Sequence, residues 1–291
     1  MTPSTPADSQ PTAGVASALT ALPGPALFRV EGADAAAFLD RQLTINVSSL
    51  AAGDTAIGCW CDAKGRVVCT LWIQRGETTA DGFLLACHHT LRDSVVKRLQ
   101  MYVLRAAVKV AAVDQLCLAV PSDRASWPSS CWQALTCVQR IDVGTHEDLA
   151  QHWAVHEIEA GFVWLDAGTS GVYLPQMLAM SRWQALDFHK GCFPGQEVIA
   201  RAHYLGRVKR GLYRFAYNPD ADSCQLSETA VTDDSGTRIG EVIVAVMVPT
   251  DAAQDRLCCG LAILQIDNTF SDTVLSYAGD DVIFTPVNDS T

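Results

Sequence analysis

Lys190-Gly191-Cys192-Phe193-Pro194-Gly195-Gln196-Glu197-Val198-Ile199-Ala200-Arg201 is the stretch on which the reading of this chain turns. Gly191, Pro194 and Gly195 constrain its backbone, because glycine permits positive φ and close approach of main-chain groups while proline fixes one dihedral. The run from Gln196 to Arg201 predicts a helix whose positive end points back at the loop, so an anion there is favoured. Cys192 lies between Gly191 and Phe193, where Lys190 and the helix end are expected to stabilise its thiolate. An isolated Gly-Cys pair would read as a turn with an inert thiol. The density of special residues here points to function instead.

Charge supports that emphasis. The chain carries a net charge of -11, yet Arg182 to Arg214 holds seven of its 21 Lys and Arg and only two acids, Asp187 and Glu197. The acidic balance argues against non-specific nucleic-acid binding by the whole surface, while Arg207, Lys209 and Arg210 form a local basic segment able to touch tRNA or an acidic partner. At 291 residues with 49% hydrophobic content, the chain is long enough for two or three subdomains. No apolar run suggests a membrane span, and no secretory signal is visible, so no membrane partner and a cytoplasmic location are expected.

The 11 cysteines form no secreted framework. Several lie in strand-like runs such as Val67-Val68-Cys69-Thr70-Leu71, where a thiol acts as a small core residue in a reducing compartment. No CxxC pair occurs, and Cys59-Trp60-Cys61 and Cys258-Cys259 are poor metal spacings, so no permanently bound metal is expected.

Upstream of the central stretch, residues 1–22 read as a flexible leader. Ala26 to Val30 predicts a strand, 32–43 a helix, 55–61 and 66–74 two strands joined by the turn at Ala63-Lys64-Gly65, 83–87 a strand, 90–99 a helix and 103–112 an extended segment. A second pass of similar type begins at Leu116, with helices expected at 127–135 and 153–159. This order indicates α+β layers with helices on one side of an antiparallel sheet. Beyond Arg214, 13 acids face only Arg238 and Arg256, and short alternating runs predict a small all-β sandwich or barrel. The division is therefore 1–22, an α+β region at 23–208 comprising two subdomains, and a barrel-like domain at 209–291.

The 190–201 segment resembles the signature of the folate-binding YgfZ family, relatives of the glycine cleavage system T-protein. Other pieces agree in order: Phe38-Leu39-Asp40-Arg41-Gln42-Leu43-Thr44, Lys64-Gly65-Arg66, Tyr102-Val103-Leu104-Arg105, Glu159-Ala160-Gly161 and Leu174-Pro175-Gln176. The resemblance implies three subdomains around a central channel that binds tetrahydrofolate or a derivative. It also implies a role in assembling or maintaining iron–sulfur enzymes, including a tRNA-thiolating one, with those client enzymes as partners.

In the aminomethyltransferase branch the hairpin strand carries an acidic pair. Cys69 and Thr70 stand there in this chain, and neither replaces a carboxylate as charge partner or proton relay at neutral pH. Aminomethyl transfer is therefore disfavoured, and a classical turnover enzyme is not expected. Gln176 stands where the T-protein has a glutamate, and its amide can still offer a donor and an acceptor to a pterin edge. From the resemblance, Arg201 and Lys190 are expected to meet anionic or carbonyl groups of folate, and Tyr102 and Trp183 to flank the ring or fill the core. Gly191, Gln196 and Glu197 are counted with the cofactor-binding residues, Gln196 and Glu197 by holding the loop through hydrogen bonds to its backbone. Cys192 is expected to be a functional thiol, in transient contact with iron or redox-sensitive. The alternatives are a folate-dependent one-carbon transferase and a partner-binding protein that has lost the ligand.

Overall fold

The structure is a computed structural model describing residues 25–78, 82–116, 154–155, 157–206, 208–219, 229–249, 256–265 and 273–287. The expected leader, the expected helix at 127–135 and Arg207 lie outside these residues.

Five antiparallel strands, β1 (Pro25–Glu31), β2 (Thr55–Cys61), β3 (Val67–Arg75), β4 (Phe83–His88) and β5 (Lys109–Leu116), form a sheet in the order β2-β3-β4-β1-β5. Side chains alternate between its faces with period two. Phe28, Trp60, Cys69 and Leu71 join Phe38, Leu39, Val95 and Leu99 of the helices α1 (Ala35–Asp40) and α2 (Arg92–Tyr102). Leu27, Cys59, Val67 and Trp72 point the other way, into a core shared with Phe162, Leu178, Phe193 and Ile199. Each aliphatic or Phe side chain so buried contributes roughly 1.5–3 kcal/mol. The sheet is therefore the wall on which the 158–199 region is assembled.

Two helical expectations are corrected by turn chemistry. The helix expected over 32–43 spans only Ala35–Asp40. The Asp40 carboxylate accepts the Val47 N–H at 2.6 Å and the Ser48 N–H at 3.2 Å, and Leu43 leaves to bridge Trp60 at the sheet edge. The segment expected to be extended from Val103 begins as a strand only at Lys109, since α2 continues through Tyr102. The intervening loop is pinned where the Ala107 N–H donates to Asp34 Oδ2 at 2.8 Å.

The alternating runs after Arg214 fold with β6 (Arg210–Tyr217) into a closed barrel, β10-β11-β6-β9-β8-β7. Its other strands are β7 (Ala230–Thr232), β8 (Arg238–Pro249), β9 (Arg256–Gln265), β10 (Thr273–Tyr277) and β11 (Asp280–Pro286). Tyr213, Phe215, Tyr277 and Phe284 fill it. Leu212, Leu261 and Ile263 face outward and join the core on the second face of the sheet. Tyr173 reinforces that contact by donating its hydroxyl to Glu241 Oε1 at 2.8 Å.

Candidate functional site

The 190–201 loop and helix sit on the turn between β2 and β3. Asp62 Oδ1 shapes that turn by accepting the N–H groups of Lys64 at 2.8 Å and Arg66 at 2.9 Å, and Gly65 takes φ 74°. Gly195, at φ 78°, caps the helix α3 (Gln196–Tyr204). A Cβ on Gly195 would lie 2.4 Å from the Asp62 carbonyl oxygen and 2.5 Å from Gly65 Cα. The backbones thus meet glycine to glycine, and the Lys64-Gly65-Arg66 turn and the 190–201 segment, far apart in sequence, become one unit. Ile199 of α3 seals the contact as a fully buried residue.

Lys190 ties the loop to main-chain carbonyls of a distant segment. Its ammonium donates to the carbonyl of Leu43 at 2.8 Å and to that of Ile45. Asp187 Oδ1 shapes the preceding turn by accepting the N–H groups of His189 and Lys190 at 2.8 and 3.2 Å. Burial lowers Lys190 to about 8, against the opposing pull of Asp40 and Asp187. Lys190 therefore fastens the loop to the segment after α1, with two of its three ammonium hydrogens given to those carbonyls.

Thr44 completes that attachment and was not singled out from the sequence. It is fully buried, donates to the Ala185 carbonyl at 2.6 Å and accepts the Cys59 N–H at 2.9 Å. A lone threonine within Leu43-Thr44-Ile45 carries little signal before its partners at 185 and 59 are known.

Cys192 is exposed, whereas Cys59, Cys61, Cys69, Cys87, Cys258 and Cys259 are buried, all as free thiols. Gly191 beside it is not in the left-handed region, and a Cβ there would meet nothing within 4 Å. Of the two glycines expected to allow close backbone approach, Gly195 makes one and Gly191 does not. Glu197 is exposed and Gln196 half-buried, and neither side chain ties down the loop backbone as expected, because the left-handed Gly195 and main-chain bonds hold it.

Gln176 lies in the 3-10 turn Pro175–Leu178 and donates its amide N–H to the Ile199 carbonyl at 2.8 Å. Its Oε1 is buried without a hydrogen-bond partner. Such an acceptor costs about 1–3 kcal/mol if left unmade, so the arrangement suits a ligand that brings a donor. Arg201 is exposed on the same helix that Gln176 touches.

The two aromatic candidates are not brought together. Trp183 packs edge-on to Phe162, with ring centres 5.4 Å apart, on the second face of the sheet. Tyr102 ends α2 on the first face, 48% exposed and edge-on to Trp60 at 6.3 Å. The helix runs farther than expected and carries Tyr102 with it.

Cys69 and Thr70 are both closed off. Cys69 is buried among apolar side chains, and burial holds its thiol well above the ordinary range. Thr70 donates to the Val163 carbonyl at 2.7 Å and accepts the Leu165 N–H at 3.4 Å, binding β3 to the 163–165 segment. Neither offers a charge to a ligand. Among the described residues no group of three or more His, Cys, Asp or Glu is arranged to hold a metal ion, and no helix is long and apolar enough to cross a membrane.

No family model matches the chain. A tRNA-modifying protein YgfZ from Escherichia coli O7:K1 is 28% identical, covering 85% of this chain and 91% of that protein. The protein of the same name from Shigella boydii serotype 4 matches at the same identity and coverage. The crystal structure of the glycine cleavage system aminomethyltransferase T from Bartonella henselae superposes with a TM-score of 0.62 at 14% identity, covering 91% of this chain and 83% of that one. The turn, loop and helix that carry the site thus occur in a chain that is a relative of the YgfZ proteins and has the fold of aminomethyltransferase T.

Proposed function

We propose that this chain binds tetrahydrofolate or a derivative and serves in the cytoplasm as an accessory protein for assembly or repair of iron–sulfur enzymes, tRNA-modifying ones among them. The observation that carries the reading is the unpartnered Gln176 Oε1. With its Nε2 held by Ile199, the oxygen keeps its acceptor capacity for one N–H such as a pterin edge would bring, and Arg201 on the adjoining helix suits a folate carboxylate. Folate, when bound, supplies one-carbon and redox chemistry. The chain supplies a fixed acceptor, a cation and, at Cys192, an exposed thiol suited to transient contact with iron.

Turnover of the T-protein kind is the weaker reading, because Thr70 spends its hydroxyl on Val163 and Cys69 is buried as a neutral thiol. A ligand-free partner protein is also weaker, since it would have no use for an oriented, buried, unpaired acceptor.

Tetrahydrofolate at 100 times its Kd is expected to stabilise the native protein by about 2.7 kcal/mol, roughly 4 °C in melting temperature at this chain length. Gln176→Leu is expected to abolish that shift, and Cys192→Ser to keep it while failing to complement an iron–sulfur enzyme defect. A wild-type protein with no shift at saturating folate would end the folate reading.

A further inference from the structure

The C-terminal end of α3 presents a set of aromatic rings that the folate site does not use. His203 stacks on Phe188 with centres 4.5 Å apart and planes 21° from parallel. Tyr204 stands edge-on to His203 at 4.7 Å and lies 5.6 Å from Phe188. His203 is exposed, Tyr204 is 62% exposed and the following Leu205 is 84% exposed. Phe188 is half-buried against the core, so the ring surface offered to solvent is that of His203 and Tyr204.

Cations flank the rings in the sequence. Arg201 lies one turn back on α3, and Lys209 and Arg210 follow the helix, all exposed. From Val198 to Pro219 the sequence contains five Lys and Arg and no acid, within a chain of net charge -11. The surrounding charge would keep a polyanion from spreading over the surface and confine it to this strip.

We propose that this strip binds an unpaired stretch of RNA, with bases stacking on His203 and Tyr204 and phosphates meeting Arg201, Lys209 and Arg210. Base–aromatic stacking beside a cationic track is how single strands are held without sequence readout. An acidic protein segment would satisfy the cations but would gain nothing from open ring faces. The strip shares Arg201 with the folate reading, so RNA binding is measured without folate and does not depend on it.

The test is fluorescence anisotropy of a labelled 12-nucleotide single-stranded RNA with the full chain, folate absent. Wild type is expected to bind, and to lose on the order of tenfold in affinity between 50 and 200 mM salt if three phosphates are neutralised. His203→Ala and Tyr204→Ala are each expected to weaken binding by roughly tenfold. His203→Phe and Tyr204→Phe should remain within about threefold of wild type, which separates stacking from loss of fold. The proposal is overturned by absence of binding, by alanine variants that bind as wild type does, by equal affinity for duplex RNA, or by preference for DNA of the same sequence. Equally effective competition by polyglutamate would also overturn it and assign the strip to an acidic protein partner. The folate melting shift is read separately, so failure here leaves that reading standing or falling by itself.

Discussion

Two glycines in one loop should respond oppositely to the same substitution. At Gly195 an added methyl meets Asp62 O at 2.4 Å, Gly65 Cα at 2.5 Å and Gly65 N at 2.6 Å, all backbone atoms. None can move as a flexible side-chain tip would. The residue also sits at φ 78°, which costs a non-glycine residue about 1–2 kcal/mol, and overpacking against fixed atoms adds about 1–3 kcal/mol. Gly195→Ala is therefore expected to destabilise by roughly 2–5 kcal/mol, seen as a melting temperature lower by roughly 3–8 °C. At Gly191 an added Cβ meets nothing within 4 Å and φ is not positive. Gly191→Ala is expected to be neutral or to stabilise by up to about 1 kcal/mol, through the reduced entropy of the unfolded chain. Thermal melts and urea midpoints of the two variants, measured side by side without ligand, give the answer. Equal effects, or a tolerated Gly195→Ala, would refute the glycine-to-glycine docking of the loop on the β2–β3 turn.

Three further outcomes rest on thiols and on β3. Cys192 is exposed while the other described cysteines are buried, so Cys192→Ser should remove one fast equivalent from native-state labelling by a thiol reagent; an unchanged burst would place the reactive sulfur elsewhere. Burial pushes Cys59 and Cys87 up to about 12 from an ordinary 9.0, so the fold keeps protons that the unfolded chain releases. Their contribution is complete below pH 9 and is lost as pH rises toward 12, so the urea midpoint should fall between pH 9 and 10.5. A Cys59→Ala/Cys87→Ala variant should fall less. Lys190 works in the opposite sense from about 8 upward, and a Lys190→Met background should steepen the decline. Thr70→Asp, which restores a carboxylate on the hairpin strand, should cost roughly 3–5 kcal/mol as an unpaired buried charge. It should yield no aminomethyl transfer in a direct assay, and a folded, active variant would reverse the reading of β3.

Much of the site was legible because its signals are local. Glycine and proline spacing marked the 190–201 loop and the alternating apolar runs marked the strands, while the contrast of Cys69 and Thr70 with an acidic pair came from the family resemblance. The lengths of α1 and α2 were not legible, since Asp40 abandons the helix for N–H groups seven and eight residues ahead and α2 continues to Tyr102.

By itself the sequence determined that a bend with two glycines, a thiol and a cation precedes a helix, because backbone freedom and charge belong to residue type. Only the tertiary structure decided which glycine is indispensable, that Lys190 is bound to the Leu43 and Ile45 carbonyls, that Gln176 keeps one oxygen unpaired and that His203 lies flat on Phe188. Each of these depends on what a residue more than ten positions away places opposite it, and hydrogen bonds, steric contact and desolvation act across space, without regard to chain order.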